Sequence, residues 1–353
     1  MSKFIQKKLE QQPISVSAPC RIDMGGTLDI STLYYPLNYL KPCTVNMAID
    51  LRTHVSLKPH TPGTIKISSK GFPEMEYILD KCPFDQSLGL MFAIATYFRL
   101  EGVHIEIHSE SPPKSALGGS SSAACALVAA CMKLVVPEFE MALNKDQIIQ
   151  IAFEIESSVA GVLCGLQDQL AAIYGGINAW HWQGALSKNR YIAETLMDSS
   201  KFPDFSDHIL VAYCGIMHES KNINARWIKQ FLSGQNRQEW FEIVNLTQNF
   251  GNAIKSMDIP LAIMCMNQET NIRKKMTPEV LNTTGTELTK TAREQHCGAR
   301  FTGAGGGGCI WALGKKKDIS TLKPIWENIL SSIPDACILD VHLDSRGMIF
   351  EPF

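Results

Sequence analysis

Residues 111–136, SPPKSALGGSSSAACALVAACMKLVV, carry the longest apolar run of the chain, 123–132. Pro112 and Pro113 fix an extended approach and stop any helix entering from upstream. Gly118 and Gly119 permit positive φ and close backbone approach. Ser120, Ser121 and Ser122 can cap a helix start. The alanines that follow, with Leu127, Val128, Met132 and Leu134, predict a buried helix from about Ser120. Upstream, the first fifteen residues read as a frayed or helical arm. Residues 15–22 and 43–57 carry β-type patterning, separated by the loop DMGGTLDIS with its paired glycines. Residues 64–68 and 104–108 alternate as strands, and 86–100 have helical spacing. A second helix is predicted over 145–160, capped by Asn144, with Ile148, Ile149, Ala152, Phe153 and Ile155 on its buried side. A strand follows at 176–182.

Residues 184–205 are polar and irregular, which suggests a boundary between domains at 1–200 and 201–353. Beyond it, 208–213 reads as a strand and 221–232, 238–256 and 259–276 as helices. Residues 278–296 read as one further helix. Strands at 299–302 and 309–313 flank GAGGGG, and the tail reads as a helix (319–331) and strands (337–343, 348–350). Strands and helices interleave in both halves without strict βαβ repetition, so the fold class is α+β.

Composition narrows the setting. At 353 residues, two domains are the natural expectation. A 45% apolar content, 19% charged residues and a net charge of −2 fit a globular chain with no basic block for nucleic acid or an anionic membrane. The eleven cysteines include no CxxC pair and several sit in apolar runs, so they read as small buried hydrophobes in a reducing cytoplasm. The N-terminus has no apolar core of signal-peptide length, and no run is long enough to span a bilayer.

A glycine turn opening a helix presents free N–H groups and the positive end of the helix dipole, an anion site that suits phosphate. The alternative is a plain capped helix, since no Lys-Ser/Thr pair follows the glycines as in a P-loop. Residues 303–308 contain a literal GxGxxG at Gly303, Gly305 and Gly308. CIWAL after it reads as a strand rather than a helix, which argues against a dinucleotide fingerprint. A strand–glycine–strand hairpin instead lets backbone approach something closely. Glu156, late on its helix, and Asp168, in a glycine-bounded turn, suit phosphoryl transfer: one holds Mg2+ and the other takes or orients the acceptor's hydroxyl proton. Otherwise they are a solvated helix face and a turn residue.

The segments APCRIDMGGTLD, PPKSALGGSSSAA, GLQDQLAAIYGG and FTGAGGGGCIWAL, in this order over 18–313, resemble the motif series of the GHMP kinases, which include galactokinase, homoserine kinase, mevalonate kinase and phosphomevalonate kinase. The Gln-Asp-Gln turn and the following Tyr-Gly-Gly-Ile-Asn are most similar to the sugar-kinase branch, including the D-glycero-D-manno-heptose 7-phosphate kinases. The resemblance implies a ribosomal-protein-S5-like N-terminal domain and a ferredoxin-like C-terminal α/β sandwich. It implies ATP and Mg2+ as cofactors. It assigns catalysis to Asp168 with Arg21 beside it, and the metal to Ser120 and Glu156. Gly118, Gly119, Ser120 and Ser121, with Lys114 nearby, would hold nucleotide phosphates; Asp29, Gly305 and Gly306 would face the substrate. Ala116 and Gly119 depart from the usual glycine and serine, the first motif is one residue off its common spacing, and Lys114 and Arg300 stand where the sugar branch often has glycine and lysine. His218 and Lys221, opening a helix, are further candidates to reach the acceptor. The function so implied is transfer of the γ-phosphoryl group of ATP to a sugar or sugar-phosphate hydroxyl, the anomeric one in the sugar branch, by a monomer or homodimer. A kinase of the mevalonate or homoserine type and a non-catalytic sugar sensor are the alternatives.

Overall fold

The chain alternates β ribbons with helices that pack on both faces of the sheets. The computed structural model describes residues 2–352 apart from 137–138, 162, 185–186, 188 and 218–219. The strands in chain order are β1 (Ile14–Met24), β2 (Cys43–Pro59), β3 (Thr64–Ser69), β4 (Met75–Ile78), β5 (Val103–Ser109), β6 (Ile177–Trp182), β7 (Tyr191–Thr195), β8 (Ile209–Tyr213), β9 (Gly298–Phe301), β10 (Cys309–Leu313), β11 (Cys337–Leu339) and β12 (Ile349–Glu351). The first sheet runs β12-β1-β2-β5-β3-β4, with β6 on β2 and β7 on β6; the second runs β11-β8-β10-β9. β1 and β2 pair antiparallel over nearly their whole length. The register shifts between Pro19 and Cys20, because proline cannot donate to the ladder and is tolerated where pairing is broken. On the edge away from β1, long β2 serves two partners: its first residues pair with β6 and its last with β5. β12 returns from the end of the chain to pair with β1.

The Gly119–Val135 helix is buried on nearly every side. A helix apolar all round belongs in a core, and its alanines let β1 and β2 approach closely. Ser122 fastens it, its hydroxyl donating to Pro19 O at 2.8 Å. A second apolar core joins the two sheets: Cys20, Ile22, Met24, Val45 and Met47 of the first meet Val211, Tyr213, Trp311 and Leu313 of the second, with Phe250 edge-on to Trp311.

Several elements differ from the sequence reading. The helix expected from Lys145 is Met141–Ala160; Asn144 lies in its first turn and accepts from Glu140 N rather than preceding the helix as a cap. The irregular stretch 184–205 contains β7 and the start of the Phe202–Ser206 helix. The single helix over 278–296 is a 3-10 turn, Pro278–Val280, followed by Thr283–Glu294. The break falls where Asn282 caps the second piece, accepting from Gly285 N at 2.7 Å. The strand expected over 337–343 stops at Leu339. No helix among the described residues is long and apolar enough to cross a membrane.

Candidate active site

The mouth of the Gly119–Val135 helix opens into a cavity of about 840 Å³ lined from both halves of the chain. Gly118 is the residue before the helix, at φ 79°, where L side chains are strained. None of the three serines caps the helix with its side chain, so the first-turn N–H groups face the opening without intrahelical partners. The approach is itself strained: Lys114 and Ala116 have φ 53° and 62°. Ala116 thus adopts the conformation that the usual glycine would adopt freely, at a cost of roughly 1–3 kcal/mol. Its neighbours hold it there. Arg21 Nη1 donates to Ala116 O at 2.6 Å, Arg21 N to Leu117 O at 2.9 Å and Cys309 N to Ser115 O at 3.0 Å.

Asp168 lies in the first turn of the Gln167–Tyr174 helix, not in a free turn, and this helix carries it across the mouth. Its Oδ1 accepts from Arg21 Nε at 2.8 Å and lies 2.7 Å from Nη2. Oδ2 faces Gly118, close enough that a Cβ on that glycine would sit 3.4 Å away. One carboxylate oxygen is therefore anchored and the other looks into the helix mouth. Burial works against the Arg21 charge, but Asp168 and then Asp23 outweigh it and hold the guanidinium above its ordinary value.

Glu156 reaches the same opening from the Met141–Ala160 helix. The Ser121 hydroxyl contacts both of its carboxylate oxygens, at 3.0 and 2.9 Å, and Gln169 Nε2 donates to it at 2.7 Å. Burial pushes its carboxyl up to about 7, opposed by the Ser121 bond. The partner of Glu156 is thus Ser121 and not Ser120, whose exposed side chain lines the cavity. Successive side chains on a helix point about 100° apart, so Ser120 and Ser121 do not share a direction, and it is Ser121 that faces Glu156.

Asp29 is buried, with Oδ2 accepting from Gln167 N at 3.1 Å. Burial pushes it up to about 6; the Gln167 N–H opposes this and the Asp168 charge adds to it. Gln167 Oε1 and Asn224 Oδ1, both on residues lining the cavity, have no hydrogen-bond partner among the described residues. Lys114 is exposed on the cavity wall. Gly305 and Gly306 turn away from the cavity. A Cβ on Gly305 would meet Val280 O at 2.5 Å, and Gly306 N donates to Val280 O at 2.9 Å. Gly303 and Ala304 line the wall in their place. His218 and the Lys221 side chain lie outside the described residues.

Residues 87–176, which contain the helix mouth, Glu156 and Asp168, match the sequence profile of the GHMP kinases N terminal domain. The chain carries a GHMP kinase N-terminal domain. Mevalonate kinase of Pyrococcus abyssi is 26% identical over 338 residues, 87% of this chain and 91% of the relative. D-glycero-alpha-D-manno-heptose 7-phosphate kinase of Campylobacter jejuni is 28% identical over 174 residues, 47% of this chain and 49% of the relative. Among solved structures, Lactococcus lactis galactokinase in complex with galactose superposes with a TM-score of 0.73 at 17% identity, covering 98% of this chain and 99% of that one. Methanococcus jannaschii mevalonate kinase gives 0.68 at 18% identity, with 94% and 98% covered. These likenesses extend the GHMP kinase fold over both sheets of this chain.

Proposed function

We propose that this kinase transfers the γ-phosphoryl group of ATP to a hydroxyl of a sugar. The observation that carries the chemistry is the Asp168 carboxylate, with one oxygen fixed by Arg21 and the other turned to the mouth of the Gly119–Val135 helix. The acceptor oxygen attacks the γ-phosphorus, its proton passes to Asp168 Oδ2, and the bond to the β-phosphate oxygen breaks to leave ADP. The first-turn N–H groups and Arg21 oppose the charge spread over the phosphoryl oxygens. Phe72, Leu88, Leu90 and Met91, which line the cavity, suit a planar base, and Lys114 suits its phosphates.

Glu156 and the Ser121 hydroxyl fit Mg2+, a hard ion bound through one or two carboxylates with substrate phosphates supplying the rest. The described residues contain no cluster of three His, Cys, Asp or Glu that would make a closed protein site. When bound there, Mg2+ would neutralise phosphate charge.

The sugar reading rests on the acceptor side. Asp29, Gln167 Oε1 and Asn224 Oδ1 are hydrogen-bond acceptors suited to several hydroxyl donors. Arg21, a buried cation that lines the same cavity, is already engaged by Asp168 and Ala116 O. A carboxylate-bearing acceptor would face the Asp29 charge. The second reading, an alcohol kinase of the mevalonate type, is favoured by similarity over 87% of the chain to the P. abyssi enzyme. ADP release across galactose, fucose, a mannose-type heptose 7-phosphate and mevalonate decides between them. Turnover with a sugar is expected, and turnover with mevalonate alone overturns the sugar assignment.

A further inference from the structure

Six charged side chains of alternating sign run from the reacting end of the site into the core of the second half: Asp168, Arg21, Asp23, Arg300, Glu269 and Arg273. Asp23, Arg300, Glu269 and Arg273 are almost completely buried. Asp23 Oδ1 lies 3.5 Å from Arg21 Nη1 and accepts from Gly303 N at 2.7 Å. Arg300 Nη1 donates to Asp23 Oδ2 at 3.1 Å, and its Nε donates to Glu269 Oε2 at 2.9 Å. Glu269 Oε1 accepts from Arg273 Nε at 2.8 Å. Arg273 ends the chain by donating to Thr27 Oγ1 at 2.9 Å and Gly26 O at 2.7 Å, its guanidinium seated in the corner formed by the perpendicular rings of Trp227 and Trp240, 4.6 Å from each.

A buried ionic chain is a poor route to stability, because desolvating each charge offsets most of the attraction. What it does impose is geometry, and the backbone it grips is strained. Thr27, a β-branched residue, has φ 75°, a conformation that persists only where surrounding contacts over-determine it. Two residues further on lies Asp29.

We propose that Arg273 is a positioning residue of the active site: anchored by Glu269 and the two indoles, it holds the strained Gly26–Thr27 turn and so places Asp29 against the phosphate acceptor. This rests on the functional reading above. The test pairs Arg273→Lys, which keeps a cation beside Glu269 but loses the fork that grips Gly26 and Thr27, with Thr27→Val, which removes only the gripped hydroxyl. Each is expected to raise the acceptor KM about tenfold, the worth of one charge-assisted hydrogen bond, with the ATP KM unchanged. The double variant is expected to be no worse than Arg273→Lys alone. Additive losses, an unchanged acceptor KM, or equal increases in both KM values with a lowered Tm would overturn the proposal. Tryptophan emission supplies a readout that needs no turnover. Thr27→Val frees one end of Arg273 and is expected to shift the emission lost in Trp227→Phe and Trp240→Phe; an unshifted spectrum overturns the clamp. If the wild-type chain released no ADP with any alcohol, the functional reading would fall, and the emission comparison would still decide whether Arg273 grips the turn.

Discussion

Replacing Asp168 by asparagine separates the chemistry of the site from its architecture. The amide oxygen can still accept from Arg21 Nε and Nη2, which now meet Asp168 Oδ1 at 2.8 and 2.7 Å. The two contacts weaken from charge-assisted to neutral-acceptor bonds, a loss of about 1 kcal/mol each. Against this, a negative charge disappears beside Glu156 and Asp29, both of whose carboxyls the Asp168 charge helps to push upward. The net change in stability is therefore expected to be within about 1–2 kcal/mol, and ATP binding, which engages the helix mouth, is expected to survive. Turnover is not. A general base is worth ~10²–10⁴ in rate, or about 3–5 kcal/mol on the barrier. Coupled ADP release with the preferred acceptor reads the rate, and calorimetric titration with ATP reads the binding. Near-normal turnover would refute the assignment of Asp168 as base. Loss of ATP binding together with turnover would show that the residue holds the site together rather than acting in it.

Three further outcomes follow from the neighbouring carboxylates. Ser121→Ala is expected to raise the Mg2+ concentration for half-maximal rate about tenfold while Ser120→Ala leaves it near the wild-type value; a Mg2+ titration giving equal shifts would count against the Ser121–Glu156 pair. Asp29, raised to about 6 by burial, is charged above that pH, so the KM of a neutral sugar should fall as pH rises through 6 and that of a carboxylate-bearing acceptor should climb. Because its folded value lies above the ordinary carboxylate range, its contribution to stability is fully present near pH 3.5 and lost as pH rises through 6. Asp29→Asn should therefore stabilise the protein by roughly 2–3 kcal/mol at pH 8 and hardly at all at pH 3.5, and denaturant melts that show no pH dependence would contradict this.

The alternation and helical spacing that announce the strands and the Gly119–Val135 helix are strong because those segments bury one face or all faces. Arg21 and Asp168 were legible through their motifs, and the structure brings them together across 147 positions. Ser121 was legible as part of the helix mouth, but its pairing with Glu156 was not, because the serine run offers three equivalent starts and only packing against Glu156 chooses the phase. Gly305 and Gly306 were misplaced because a run of glycines does not say which residue faces which wall. The Asp23–Arg300–Glu269–Arg273 chain was overlooked for a different reason. Glu269 and Arg273 stand four apart on a helix, which in a sequence reads as an exposed pair. Their phase held the signal, since they share the stripe of Ala262, Met266 and Met276 that the second half buries.

The apolar core shared by the two sheets also bears on how substrates enter. Prising the halves apart would bring Cys20, Ile22, Met24, Trp311 and their neighbours into water, at about 1.5–3 kcal/mol for each large side chain. Such an opening is far outside thermal reach during a catalytic cycle. Admission and release therefore fall to the rim segments and not to a parting of the two sheets.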